Sequence, residues 1–254
     1  MALKVSIFFV LFAASWLVGC SAPPTAPIPP SPMPLRISYS PYLAGIQEAL
    51  HTCAVELPQL AIFFEQIPAA QQDFETADLV IWWGEKPERI GYAYPLNEDE
   101  LVVIVNPENP KQTLRGSELV SIYSGRIEKW SEIGTLDQQV EVWIFPEGNI
   151  LSETFQAGML ADQRFTRLAK LAPSSAAMLE SVAGDPGAIG FLPRSWLSPD
   201  VKGIEVDPER QASVRKPLLA LSQSEPRGAV KELIACLQTG SGQATLSDFY
   251  DLPD

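Results

Sequence analysis

The sequence predicts an α/β protein. From residue 35 onward, short runs rich in β-branched side chains alternate with helical patterns. Leu101–Val105 is five apolar residues in a row, closed by Asn106-Pro107, and reads as a strand buried on both faces, as in a parallel or mixed sheet. The apolar fraction of 46 % is enough for a sizeable core, and 254 residues allow one large domain or two lobes of ordinary size.

Residues 1–19 have the dimensions of a signal peptide. Lys4 is the basic n-region, Val5–Val18 is apolar apart from Ser6 and Ser15, and small residues precede Cys20. This stretch is too short for a comfortable membrane span. Leu17-Val18-Gly19-Cys20 resembles the bacterial lipoprotein box, which implies a diacylglycerol on Cys20 and cleavage before it; an ordinary signal peptide with an incidental cysteine is the alternative. Loss of residues 1–19 removes Lys4 and no acid, taking the net charge from −13 to −14. Such a charge argues against nucleic acid or an anionic membrane surface as the main partner. Residues 20–34 then form the lipidated cysteine and a linker whose Ser21–Pro34 holds seven prolines and no charge. As polyproline II, at about 3.1 Å per residue, it would span about 40 Å.

Along the body, Leu35–Ser40 reads as a strand. Ser40-Pro41 is the N-cap and first turn of a helix with a buried stripe of Leu43, Ile46, Leu50 and Cys53 or Ala54. Leu60–Phe64 and Leu79–Trp83 are further strands, and Asn97-Glu98-Asp99-Glu100 is a solvated turn. Ser117 caps a short helix with the apolar face Leu119, Ile122 and Tyr123, which ends at Ser124-Gly125. Val140–Phe145 is a strand; Asn149 caps a helix placing Leu151, Phe155 and Met159 on one face. Ser174–Val182 is a short helix, and Ala188–Leu192 and Val201–Val206 are strands. Cys53 and Cys236 remain as an even pair in an oxidising compartment, either bridged or each a small buried apolar residue.

Several segments recur in order at a family's spacing: Val103-Ile104-Val105-Asn106-Pro107, Ser124-Gly125-Arg126-Ile127, Lys129-Trp130-Ser131-Glu132-Ile133-Gly134 and Asp185-Pro186-Gly187-Ala188-Ile189-Gly190-Phe191. Arg215–Ala220 and Lys231–Leu246, with Gly240-Ser241-Gly242-Gln243 at its turn, complete the series. The whole resembles the phosphate-binding-protein-like branch of periplasmic binding proteins over about residues 35–252. The resemblance implies a two-lobed type 2 periplasmic-binding-protein fold, each lobe a mixed sheet flanked by helices. Lobe 1 would hold about 35–100 plus 217–254 and lobe 2 about 101–216. Crossing strands would lie at about Leu101–Asn106 and Lys216–Leu221, with a small-molecule ligand between the lobes.

In such a fold the ligand lies near helix N-termini at the carboxyl ends of strands. Two such ends offer Ser38, Ser40 and Tyr42, and Asn149 and Ser152. Phosphate-binding relatives carry R-x-x-G-S-G-T-R-E-T-F at the second. Anchored on Glu153-Thr154-Phe155, this chain has Phe145 at the first arginine, Asn149 at the serine, Ile150 at the second glycine, Leu151 at the threonine and Ser152 at the second arginine. A tetrahedral dianion needs several donors and usually a bidentate arginine, and Glu147 and Glu153 flank the helix start. Trp82-Trp83-Gly84-Glu85 follows a strand, so an indole could stack on an organic ligand or cap a cation with Glu85 as counter-charge, or both rings could simply pack.

No zinc-ligand spacing, nucleophile elbow or P-loop occurs, and His51, the sole histidine, sits mid-helix. The expectation is a non-enzymatic, extracytoplasmic solute-binding lipoprotein of an ABC-type importer, tethered to a bacterial membrane and presented to a permease. No cofactor, metal or nucleic acid is implied. The alternative is a membrane-anchored sensor or protein-binding module on the same fold.

Overall fold

Fourteen consecutive residues, Tyr92–Val105, form one long strand (β4) that changes neighbours part-way along. Its first part pairs antiparallel with Arg215–Ser222 (β10), from Tyr92↔Ser222 to Glu100↔Arg215. Leu101–Val105 pairs instead with Ala188–Pro193 (β8) and, through Val103–Val105, with Lys202–Val206 (β9). All five of these apolar residues are buried, as a strand covered on both faces requires. The computed structural model describes residues 32–135 and 137–252; the signal segment, Cys20 and the linker up to residue 31 lie outside the described residues.

On one side of this switch, Met33–Tyr39 (β1) pairs in parallel with Leu60–Gln66 (β2) and Leu79–Trp83 (β3), and β3 pairs antiparallel with β10. On the other side, β8 pairs in parallel with Glu141–Ile144 (β6), which pairs with the two-residue Lys170–Leu171 (β7). Thr113–Leu114 (β5) joins β9. The order is β2-β1-β3-β10-β4-β8-β6-β7, a mixed sheet flanked by helices.

Helices cover each half with the faces their apolar spacing dictates. Ile46–Glu56 (α1) buries Ile46, Ala49, Leu50 and Cys53 against Gly228–Thr239 (α6) and Ser241–Leu246 (α7). In the other half lie Gly116–Tyr123 (α2), Ile150–Leu160 (α3), Ser175–Ala183 (α4) and the short Pro208–Ser213 (α5). There Phe155 and Phe191 stack with ring centroids 4.0 Å apart, joined by Tyr123, Phe145 and Phe165.

Four local readings need correction. Ser40-Pro41 does not start a helix: the Ser40 carbonyl closes a turn to Leu43, and α1 begins only after Gly45, whose φ of 68° suits glycine and whose Cβ would collide with the Phe249 ring. Asn97–Glu100 is not a solvated turn but strand, with Asn97, Asp99 and Glu100 buried. Ser117 lies inside α2, whose cap is Arg115, the N–H of which donates to the Glu118 carboxylate. Finally, β1 begins at Met33, so Met33 and Pro34 pair with Leu60 and Ala61 rather than belonging to the linker.

Cys53 in α1 and Cys236 in α6 form a disulfide with Cα atoms 5.9 Å apart, closing a loop of 183 residues. Chain-entropy reasoning gives such a loop a stabilisation of at most about 5 kcal/mol. Reduction, or the Cys53→Ser/Cys236→Ser pair of changes, should therefore lower the thermal midpoint markedly. Identical midpoints in calorimetry with and without reductant would show that the bridge contributes nothing.

Candidate functional site

The carboxyl ends of six strands open on one cavity of about 710 Å³. The segment after β1 contributes Pro41 and Tyr42; that after β2, Pro68–Gln71; and the end of β3, Trp82. From the other half come Phe145–Leu151 and Glu153 after β6, Pro173–Ala176 after β7, and Trp196 after β8. This is where open α/β sheets bind ligands, because loops leave the sheet there and helices start there.

Two helices present their amino termini to the cavity. Asn149 caps α3, its side chain accepting from the Leu151 N–H at 2.9 Å. Ser174 caps α4, its hydroxyl accepting from the Ala177 N–H at 3.2 Å. Next to it Ser175, only 4 % exposed, carries a hydroxyl with no hydrogen-bond partner. Each helix end also directs the positive end of its dipole towards the cavity. Among the described residues no lysine or arginine lines it, whereas Glu147 and Glu153 do. Arg194 pairs with Glu100, Arg126 reaches Ser121, and Arg89 lies over the Phe74 ring.

The residues singled out from the sequence separate into two groups. Tyr42, Trp82 and Asn149 line the cavity. Trp83 is buried in the core, its indole donating to the Asp99 carbonyl at 3.2 Å. Glu85 takes the Trp82 indole N–H on its backbone carbonyl, and its side chain does not border the cavity. Ser40 is buried and accepts from the Gln72 amide, Ser152 donates back to the Phe145 carbonyl, and Ser38 lies along a separate concavity with Asp73 and Thr76. His51 is exposed, edge-on to Phe64 at 5.2 Å. Trp196 and Ser175 were missed. Both signals were present, in an N-cap serine opening a short helix and a tryptophan just past a buried strand.

Beside the cavity the two halves are tied by polar contacts. The Trp196 indole donates to the Tyr42 carbonyl at 2.7 Å. The adjacent Ser195 hydroxyl donates to Asp99 at 2.7 Å, and the Glu100 N–H donates to the same carboxylate at 2.8 Å. Burial nevertheless pushes the Asp99 carboxyl up to about 7, against those hydrogen bonds and the Arg194 charge. At Glu100, burial acts in the same upward direction, but hydrogen bonds from Arg194 and Gln211 and the Arg194 and Arg215 charges outweigh it and hold the carboxyl below its usual value. Burial likewise raises Tyr42, to about 12, so it is a neutral phenol in the cavity wall.

The chain belongs to the PBP superfamily: a PBP superfamily domain matches residues 92–219. It is similar to the phosphate-binding protein PstS of Bacillus subtilis, 26 % identical over 156 residues covering 58 % of this chain and 52 % of that one. The chain thus spans about half the length of this curated relative. Its fold is shared with an ABC-type phosphate transport receptor from Vibrio cholerae (TM-score 0.68, 22 % identity, 86 % of this chain and 100 % of that one). It is also shared with a phosphate ABC transporter substrate-binding protein with bound phosphate from Clostridium perfringens (TM-score 0.76, 20 % identity, 87 % of this chain and 99 % of that one).

The Asp99 environment sets a pH dependence. Its folded-state value stands above that of the unfolded carboxylate, so the folded chain holds this proton more tightly. The contribution is complete below about pH 4 and is lost as pH rises through about 7. Between about pH 5 and pH 8 the loss should be about 2–3 kcal/mol, at roughly 1.4 kcal/mol per unit. Asp99→Asn should flatten the stability profile in that window. Stabilities from denaturant titrations that fall equally between about pH 5 and pH 8 in both proteins would contradict the assignment.

Proposed function

We propose that this chain is the extracytoplasmic solute-binding component of an ABC-type importer, a lipoprotein tethered through Cys20 to a bacterial membrane, and that its solute is not phosphate. The observation that carries this reading is a cavity, at the strand ends of a PBP-superfamily frame, that no lysine or arginine lines among the described residues. The two relatives described as phosphate transport or phosphate-binding proteins support the transport class. Closure of the two halves about β4 and β10 around the solute would create the form presented to a permease.

Phosphate is disfavoured by the donor set. Three or four charge-assisted hydrogen bonds, each contributing about 1.5–3 kcal/mol, would be missing, which amounts to several powers of ten in affinity. Helix N-termini contribute about 0.3–2 kcal/mol each and do not replace them. Loss of oxyanion-binding side chains also favours a second reading, a membrane-anchored sensor or protein-binding module. The size of the open cavity favours a small solute over that alternative.

Isothermal titration with phosphate and sulfate near neutral pH should give no dissociation constant below about 10 μM, roughly −7 kcal/mol. Micromolar binding of either anion would contradict the proposal. For the anchor, Cys20→Ser should release the protein from membranes or leave it unprocessed. Unchanged fractionation and migration would remove the lipid from the account.

A further inference from the structure

The cavity wall combines features that a single class of solute satisfies together. At one side, the amino terminus of α4 offers a positive dipole end, and Ser175 offers a buried hydroxyl that has no partner among the described residues. A buried hydroxyl left unsatisfied is costly, so a ligand acceptor at this position would be stabilising on two counts. Elsewhere in the wall, Trp82, Trp196 and Tyr42 contribute aromatic surface, and Glu147 and Glu153 contribute the only formal charges among the described residues. That set suits an ammonium group, which aromatic rings and carboxylates both attract.

Other classes leave part of this wall unused. Among the described residues, an oxyanion would meet two glutamates and no cation. A sugar could use the rings, the carboxylates and the unpartnered Tyr42 hydroxyl, but it carries no charge to answer the positive ends of α3 and α4. A purely apolar solute would leave Ser175 unpartnered and both helix ends unanswered.

The geometry points to a zwitterionic organic solute, of the amino-acid or betaine kind, as the ligand: its carboxylate at Ser175 and the amino terminus of α4, its ammonium group against Trp82 and Trp196 with Glu147. This assignment rests on the solute-binding reading above and names the chemistry of that same site. Ser175 is a specificity-determining residue for the carboxylate, and Trp82 for the cationic end.

Calorimetric titration of the full chain in detergent, with glycine betaine and L-phenylalanine as zwitterions, tests the assignment. Choline, propionate, glucose and phosphate serve as partial or mismatched probes. At least one zwitterion should bind at least about tenfold more tightly than any of the other four. Ser175→Ala should weaken that zwitterion by about tenfold or more, the loss expected for one hydrogen bond to a charged group, and leave choline unchanged. Trp82→Ala should weaken zwitterion and choline alike. Tighter binding of glucose, propionate, choline or phosphate than of either zwitterion overturns the ligand class while leaving the cleft a solute site. So does a Ser175→Ala protein that retains full zwitterion affinity. Absence of heat with all six probes, together with no small molecule released on denaturing the purified protein, overturns the solute-binding reading and this assignment with it.

Discussion

Two carboxylates are buried in the strand where the sheet changes partners, and the contacts that tie its two sides together follow from holding them there. Asp99 and Glu100 sit at the end of the β4–β10 pairing, and a buried charge must be paired or neutralised. Glu100 is held by Arg194, just past β8, and by Arg215, the first residue of β10. Asp99 draws in Ser195 from the same 3₁₀ turn. Three separate stretches of chain are thereby brought to one point between the halves. Trp196, next in sequence, then reaches Tyr42 and the cavity.

The same constraint shapes the chemistry of the cleft. Arg194 lies two residues before the cavity-lining Trp196, and its guanidinium is committed to Glu100. The cavity keeps the two helix ends typical of an anion site while its side chains supply aromatic surface and carboxylates. Dipole ends without cations favour a modest partial charge or a single carboxylate over a dianion. The frame of a PBP-superfamily domain and the contents of its cleft are separate facts, and only the second bears on which solute fits.

Much of the fold was legible because burial on both faces writes itself as β-branched runs. Leu79–Trp83 has the same bounds in sequence and structure, and Leu101–Val105 is the buried part of β4. Asn149 was legible as a cap because its side chain needs only its own backbone neighbour. The acidic run before Leu101 was not, since its neutralising arginines are 94 and 115 residues away. The start of α1 was misread because Ser40-Pro41 imitates a helix start locally, whereas Gly45 is fixed by its approach to Phe249, far along the chain. At the site, local pattern identified Tyr42, Trp82 and Asn149. Ser175 becomes notable only when its hydroxyl is seen to lack a partner, a property of the packed structure rather than of the sequence.

The proposed reading, an organic solute rather than an oxyanion in this cleft, meets its sharpest check in a native mass spectrum of the full chain, purified without added ligand, followed by identification of whatever denaturation releases. A nitrogen-containing carboxylic acid, free of phosphorus and sulfur oxyanions, is expected. Release of phosphate or sulfate in stoichiometric amount would contradict it.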